Sequence, residues 1–278
     1  MSIRCRSIRF RARDAVELNG LVWEKDGVGS APPPLILLHG GGANAHWWDH
    51  IAAPLAERGP VYALDFRGHG DSAYPEERRV GAFNLDLEAL VAWLGRDDVF
   101  IVGHSMGAGV ALDHASRFAA TRAIALVDLA RGSARGTRRR ARLALLLRRT
   151  WPSFEEAVAR FRFLPESTHP TESLRRHIAE HSVREEPDGR YGSKFDPLWF
   201  GLPSSPRPDL ANVRCPTLLV RGAESQLLSA ESALELTRQL PHGRLVEIER
   251  AGHHVLLDQP ARLIQELQAF FEALPEER

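Results

Sequence analysis

Cysteine is scarce: Cys5 and Cys215 are the only two in 278 residues. Two cysteines so far apart in sequence do not suggest a disulfide framework, and a reducing compartment is the default expectation. Lysine is scarcer than it first looks, since Lys25 and Lys194 leave arginine as 34 of the 36 basic residues. Net charge is lacking altogether, because 36 acidic residues balance them. The chain as a whole therefore exerts no long-range pull on nucleic acid or an anionic membrane, and no nucleic-acid partner is expected. No apolar run approaches the ~20 residues that span a bilayer. Residues 1–6 carry neither an apolar core nor a small-residue cleavage site, so no secretory leader is expected and the cytoplasm is the expected location. Internal repeats are missing, and low complexity is confined to the proline clusters near 32–34 and 203–208.

What is present is an ordinary globular composition, 44% hydrophobic and 26% charged. The length suits one α/β domain carrying an insertion better than two independent domains. Residues 3–10 and 15–24 alternate and read as two antiparallel edge strands, with Asn19-Gly20 as a turn or bulge signal. A continuous apolar run follows at 35–38, the mark of a strand buried on both faces, and largely apolar strand-like runs follow at 61–66, 99–102, 123–128 and 216–222. Helical stretches separate them, at 84–94, after Gly107, at 229–240 and at 260–274. This rhythm predicts an α/β fold with a mostly parallel sheet and helices on both faces. It is interrupted once. Residues 131–205 read as three helical stretches (137–149, 153–161 and 171–182), an aromatic loop and a stiff proline-rich linker. Residues 1–130 and 206–278 are thus expected to form two parts of one core, with 131–205 as a helical lid between them.

The strand at 99–102 runs into Gly103-His104-Ser105-Met106-Gly107 and then a helix. A serine on a tight strand-to-helix turn presents its hydroxyl above the sheet, which makes Ser105 the candidate nucleophile. Glycine at 103 and 107 fits a turn where strand and helix pass closely. His39-Gly40-Gly41-Gly42 also follows a buried strand, and consecutive glycines let backbone N–H groups converge on a small anion. The Gly41 N–H is accordingly one oxyanion donor; a phosphate cradle is disfavoured because no Gly-Lys-Ser/Thr follows. Asp65, His69 and Asp71 are read as hydrogen-bonding a rigid turn rather than as an acid–base or metal set. The histidines read as scattered, so no metal and no organic cofactor are expected.

Together with Asp65-Phe66-Arg67-Gly68-His69-Gly70-Asp71-Ser72 and Gly252-His253, these motifs resemble those of the α/β-hydrolase family, in its lid-bearing, esterase-like branch. The resemblance covers nearly the whole chain outside the lid. It implies an eight-stranded sheet with the lid inserted after the sixth strand, a Ser–acid–His triad, and the N–H of Met106 as the second oxyanion donor. His253 matches the family's Gly-His pattern and is the expected base, with its neighbour His254 as rival. The acid departs from pattern. Relatives show Gly-x-x-Asp after the strand at 218–220, whereas this chain has Gly222-Ala223-Glu224-Ser225. Asp128, at a strand end from which some relatives supply their acid, is preferred; Glu224 is the alternative.

The expected activity is hydrolysis of a carboxylic ester or lactone, small to medium in size and apolar, through an acyl-enzyme, by a monomer or homodimer. Trp47, Trp48, Phe161, Phe195 and Trp199 are the expected substrate-binding residues. C–C bond hydrolysis, amide cleavage and cofactor-free perhydrolysis use the same triad, and a ligand-binding, receptor-like member stays open because the usual acid position is not acidic. Eight arginines with no Asp, Glu or Lys fall between 131 and 149, which leaves the rest of the chain eight charges negative. They read as a solvated helix face.

Overall fold

The structure is a computed structural model that describes residues 2–25, 32–130, 149–166, 168–199 and 208–274. The stretch read as a helix at 137–149, the arginine cluster and the proline-rich linker lie almost wholly outside the described residues.

Among the described residues ten strands run in chain order: β1 (Ile3–Arg11), β2 (Glu17–Lys25), β3 (Leu35–Leu38), β4 (Val61–Leu64), β5 (Phe100–His104), β6 (Ala123–Val127), β7 (Val183–Glu185), β8 (Tyr191–Ser193), β9 (Thr217–Gly222) and β10 (Gly243–Ile248). Eight form one sheet in the order β1-β2-β4-β3-β5-β6-β9-β10. From β4 to β10 every pairing is parallel, while β2 runs antiparallel to both β1 and β4. The Asn19-Gly20 signal produces neither turn nor bulge. The β1–β2 register is unbroken through Ile8↔Gly20 and Arg9↔Asn19, and a Cβ at Gly20 would come 2.8 Å from the Ala63 carbonyl oxygen. Close approach of β4 explains that glycine.

Eight helices complete the described chain: α1 (Asp49–Leu55), α2 (Ala82–Leu94), α3 (Met106–Arg117), α4 (Phe154–Arg160), α5 (Glu172–His181), α6 (Ala230–Gln239), α7 (Val255–Asp258) and α8 (Pro260–Glu272). The two-residue period of a strand sorts each apolar run between two cores. Leu37, Val102, Ala125, Leu218 and Val220 face one core with Ile51 of α1 and Leu263 and Leu267 of α8. Their neighbours Ile36, Leu38, Ile101, Ile124, Leu126 and Leu219 face the other, with Leu87 and Leu90 of α2, Ala108 and Ala111 of α3 and Leu236 of α6. A run that must satisfy both cores has no polar alternate position, hence the unbroken apolar stretches.

Between β6 and β9 the described residues add no strand to this sheet. That segment is not purely helical: β7 and β8 pair only with each other, antiparallel, where sequence reading expected an aromatic loop. The overlooked signal is Pro187-Asp188-Gly189, a turn sequence whose glycine takes φ +76°. The segment docks on the core through Phe163 and Ile178, both buried with the α1/α8 layer. No helix among the described residues is long and apolar enough to cross a membrane.

Candidate active site

Parallel strands deliver their carboxyl ends to one edge of the sheet, where open α/β folds gather their ligand sites. Ser105 stands between β5 and α3 at φ 51°, ψ −108°, a conformation that ordinary side chains seldom adopt. Its own N–H donates to the Val127 carbonyl at 2.9 Å. Two glycines make the turn possible. A Cβ at Gly103 would lie 2.3 Å from the Gly107 carbonyl oxygen, and one at Gly107 would lie 2.5 Å from that of Leu38.

His253, in the loop before α7, reaches Ser105 across the sheet edge. Its Nε2 accepts from the Ser105 hydroxyl at 2.9 Å, and its Nδ1–H donates to Asp128 Oδ1 at 2.7 Å. Asp128 directly follows β6, also at positive φ (46°), a region Asp tolerates better than most residues. Its carboxylate is fully buried and accepts two further bonds, from the Ser225 hydroxyl to Oδ1 at 2.6 Å and from the Gly222 N–H to Oδ2 at 3.0 Å. Three donors compensate one desolvated carboxylate.

Ser225 occupies the position where the resemblance led us to look for an acid. It holds the carboxylate of Asp128, and its oxygen in turn accepts from the N–H groups of Leu227 and Leu228, each at 3.2 Å. Sequence reading missed this role, which depends on β6 and β9 being neighbours. Glu224 is exposed, and among the described residues no hydrogen bond links its carboxylate to His253.

Met106 opens α3, so its N–H has no acceptor within the helix and sits at the positive end of the helix dipole. The glycine loop lies alongside, since a Cβ on Gly40 would approach Ser105 Cβ to 3.3 Å. Gly41 is the next residue, half-buried, and Gly42 takes φ +77°. Asp65 ties this loop to β4: it accepts from the N–H groups of Ala45 (2.7 Å) and Asp71 (3.0 Å) and from Asn19 Nδ2 (2.9 Å). The turn at 65–71 is thus internally hydrogen-bonded.

Further imidazoles surround His253. His104 Nε2–H donates to the His253 carbonyl at 3.0 Å, and His254 Nε2–H to that of Leu164 at 3.1 Å. Burial pushes both rings well below the usual histidine range, with the neighbouring His253 adding to the effect, so they bring no positive charge near the reacting atoms. Asp258 accepts from the Gly252 N–H at 2.8 Å and the His169 N–H at 2.7 Å, joining the His253 loop to the segment between β6 and β9.

The five aromatics expected at a substrate pocket divide. Trp47 meets His254 at 5.4 Å and Phe163 at 5.3 Å between ring centroids, one ring removed from His253. Phe161 packs edge-on against Phe163. Trp48, next to Trp47 in sequence, is wholly buried in the same α1/α8 core cluster and shows no ring contact with His253 or His254 among the described residues, so the expectation that it binds substrate is corrected. Phe195 and Trp199 are also buried, Phe195 against His69 and Trp199 against Phe83 and Gly68. They dock their segment onto the turn at 65–71.

The reading of scattered histidines also needs correction. His177 and His181 lie four residues apart on α5, and with His46 they bring ligand-capable nitrogens within 4.8 Å of one another.

The sheet order and the strand–turn–helix around Ser105 define an α/β-type hydrolase architecture. The chain belongs to the Alpha/beta hydrolase family, whose sequence model matches residues 35–266. It is 33% identical over 253 residues to esterase Rv0045c of Mycobacterium tuberculosis, covering 85% of this chain and 82% of that protein. A solved structure of that esterase matches with a TM-score of 0.75 at 27% identity, over 98% of this chain and 93% of its own. An (E)-2-((N-methylformamido)methylene)succinate hydrolase of Acinetobacter baylyi is 26% identical over 266 residues, 87% of this chain and 91% of that one. The crystal structure of an E-2-(acetamidomethylene)succinate hydrolase matches with a TM-score of 0.83, over 97% of this chain and 100% of its own; at 23% identity this likeness is one of fold. The chain is a hydrolase of this family.

Proposed function

We propose that Ser105, His253 and Asp128 are the catalytic triad of an esterase or lactonase acting on a small to medium, apolar acyl substrate. The unbroken line of hydrogen bonds from Asp128 Oδ1 through His253 to the Ser105 hydroxyl carries this reading. Ser105 Oγ attacks the acyl carbonyl while His253 Nε2 takes its proton. The carbonyl oxygen becomes an oxyanion held by the N–H groups of Gly41 and Met106. His253 then returns the proton to the departing alkoxide, leaving an acyl-serine. Water, deprotonated by the same imidazole, attacks this ester, and the carboxylic acid leaves with Ser105 regenerated. Asp128 keeps the Nδ1–H tautomer in place and offsets the charge of the transient imidazolium.

The likeness to an esterase at 33% identity favours an ester over other acyl substrates. Trp47, Phe161 and Phe163 supply an apolar wall beside His254, which favours an apolar acyl or alcohol group. The segment at 131–205, to which Phe161 and Phe163 belong, serves as the lid and brings Phe163 against Trp47 of the core, which comprises 1–130 and 206–278. Free cysteines at 5 and 215 suit a cytoplasmic setting. A non-catalytic binding role had rested on the missing acid at 225, and a carboxylate bonded to His253 from Asp128 favours the catalytic reading over it.

A series of p-nitrophenyl and lactone substrates of graded acyl length tests the proposal. Turnover with a burst of p-nitrophenol, lost in Ser105→Ala, is expected. Stoichiometric binding without turnover in the parent enzyme refutes it.

A further inference from the structure

Far along the chain from the triad, three half-buried histidines meet one carboxylate. His177 and His181 project from one face of α5, spaced i,i+4. His46 sits in the 3₁₀ turn before α1, and Asp49 is the first residue of α1. The rings are packed together, His46 to His181 at 4.0 Å and His177 to His181 at 4.4 Å between centroids. Asp49 Oδ2 accepts from His46 Nδ1 at 2.9 Å and from His177 Nε2 at 2.7 Å. Asp49 Oδ1 is buried and, among the described residues, has no hydrogen-bond partner. His181 Nδ1–H donates to the His177 carbonyl at 2.9 Å, which in a neutral ring leaves Nε2 as a lone-pair donor.

The group has more lone pairs than protons to satisfy them. A carboxylate that already bridges two imidazoles, in a group whose third imidazole keeps a free nitrogen, is an arrangement that a cation completes. Three imidazoles and one carboxylate suit a borderline transition ion rather than Mg²⁺ or Ca²⁺, which take oxygen ligands.

We propose that His46, Asp49, His177 and His181 form a binding site for a divalent transition-metal ion of the Zn²⁺ type, clamping α5 to the start of α1. The ligands are His46 Nδ1, His177 Nε2, His181 Nε2 and the Asp49 carboxylate. Metal–nitrogen bonds of about 2.0–2.1 Å place tetrahedral ligands roughly 3.3 Å apart, so three histidine nitrogens within 4.8 Å of one another close by small side-chain rotations, and the Asp49 carboxylate, hydrogen-bonded to two of the rings, turns with them. The protons now on His46 Nδ1 and His177 Nε2 transfer through solvent to the opposite ring nitrogens, so binding releases no net proton from neutral rings. The joint being clamped is functional in its location. Asn44 Nδ2 donates to the His181 carbonyl and to Ser182 Oγ, and Trp47 Nε1 donates to Ser182 Oγ, so the metal steadies the tryptophan that abuts His254.

A rival imidazole group exists at His104, His253 and His254. It is deeply buried, and His253 already uses both ring nitrogens. The experiment separates the two. Untagged full-length protein, stripped with chelator, is titrated with Co²⁺ and followed by visible absorption, then challenged with Zn²⁺. One Co²⁺ per chain, with the intense d–d bands of a four- or five-coordinate site, is expected, displaced by Zn²⁺ and untouched by Mg²⁺. His177→Gln and His181→Gln each weaken binding at least tenfold, whereas His104→Gln leaves it unchanged. His177 has a side chain 39% exposed, so its replacement spares the core, and far-UV circular dichroism verifies folding. The proposal is overturned if parent protein takes up no Co²⁺ at stoichiometric excess, or if both α5 variants retain parental affinity and spectrum.

Discussion

Asp128→Asn separates the two carboxylates that the sequence leaves in competition, and the structure dictates how it acts. The Asp128 carboxylate receives three donors: the His253 Nδ1–H and the Ser225 hydroxyl at Oδ1, and the Gly222 N–H at Oδ2. Asparagine has only one acceptor oxygen and one NH₂. The Gly222 N–H belongs to β9 and cannot turn away, whereas a hydroxyl and an imidazole can exchange donor and acceptor roles. The amide oxygen therefore faces Gly222, and the NH₂ faces His253. The imidazole must then present a bare Nδ1 and carry its proton on Nε2, where it can no longer accept from Ser105. The buried Gly222 and His253 groups keep partners and only the Ser225 hydroxyl proton loses its acceptor, so the fold survives at a modest cost in stability, but the base is in the wrong tautomer. A loss of about 10⁴-fold in kcat is expected, or roughly 5.5 kcal/mol of transition-state stabilisation. Initial rates on a p-nitrophenyl ester, with matched thermal unfolding of both proteins, measure it. Glu224→Gln, in an exposed side chain, is expected to stay within about twofold of the parent. An Asp128→Asn enzyme within tenfold of parental activity, or a Glu224→Gln enzyme as impaired as Asp128→Asn is meant to be, refutes this reasoning.

Ser225→Ala removes one donor from the same carboxylate and leaves the other two; a charge-assisted bond of about 1.5 kcal/mol corresponds to roughly a tenfold fall in kcat with KM little changed, and an unaltered kcat in the folded variant counts against the positioning role. Gly103→Ala sets a methyl 2.3 Å from the Gly107 carbonyl oxygen, so β5 and α3 must part; a stability loss of about 2 kcal/mol or more, read from urea midpoints, is expected together with loss of activity. Stability should also fall in acid. Burial lowers His69 and His114 to about 4 from the ordinary 6.5 and pushes His39, His104 and His254 well below it. The unfolded chain then takes up protons first, so stability is complete above pH 6.5 and drains away as the pH falls towards 4, by up to about 1.4 kcal/mol per pH unit for each ring. Urea midpoints that stay level from pH 6.5 to 4.5 contradict this.

What the sequence disclosed and what it withheld divide along a physical line. Strands buried on both faces announce themselves, since no position along Leu35–Leu38 or Ala123–Val127 is allowed to be polar. Ser105 is legible because its requirements are local: a strand, a helix and two glycines within five residues. Trp47 and Trp48 are adjacent, identical and buried in the same core cluster, and only the phase of a short 3₁₀ turn gives Trp47 alone a ring contact with His254. His177 and His181 display their spacing openly, but the carboxylate between them and His46 comes from more than a hundred residues earlier. The acid is the sharpest instance. A serine at 225 looks like the loss of a catalytic group as long as β9 is considered alone. With β6 hydrogen-bonded beside it, Val127 opposite Val220, the carboxylate has moved one strand along while its target imidazole has stayed put. A hydroxyl that cannot itself stabilise an imidazolium can still secure a carboxylate that reaches the His253 ring. The requirement on the fold is therefore a buried negative charge within reach of His253 Nδ1, and either neighbouring strand end can meet it.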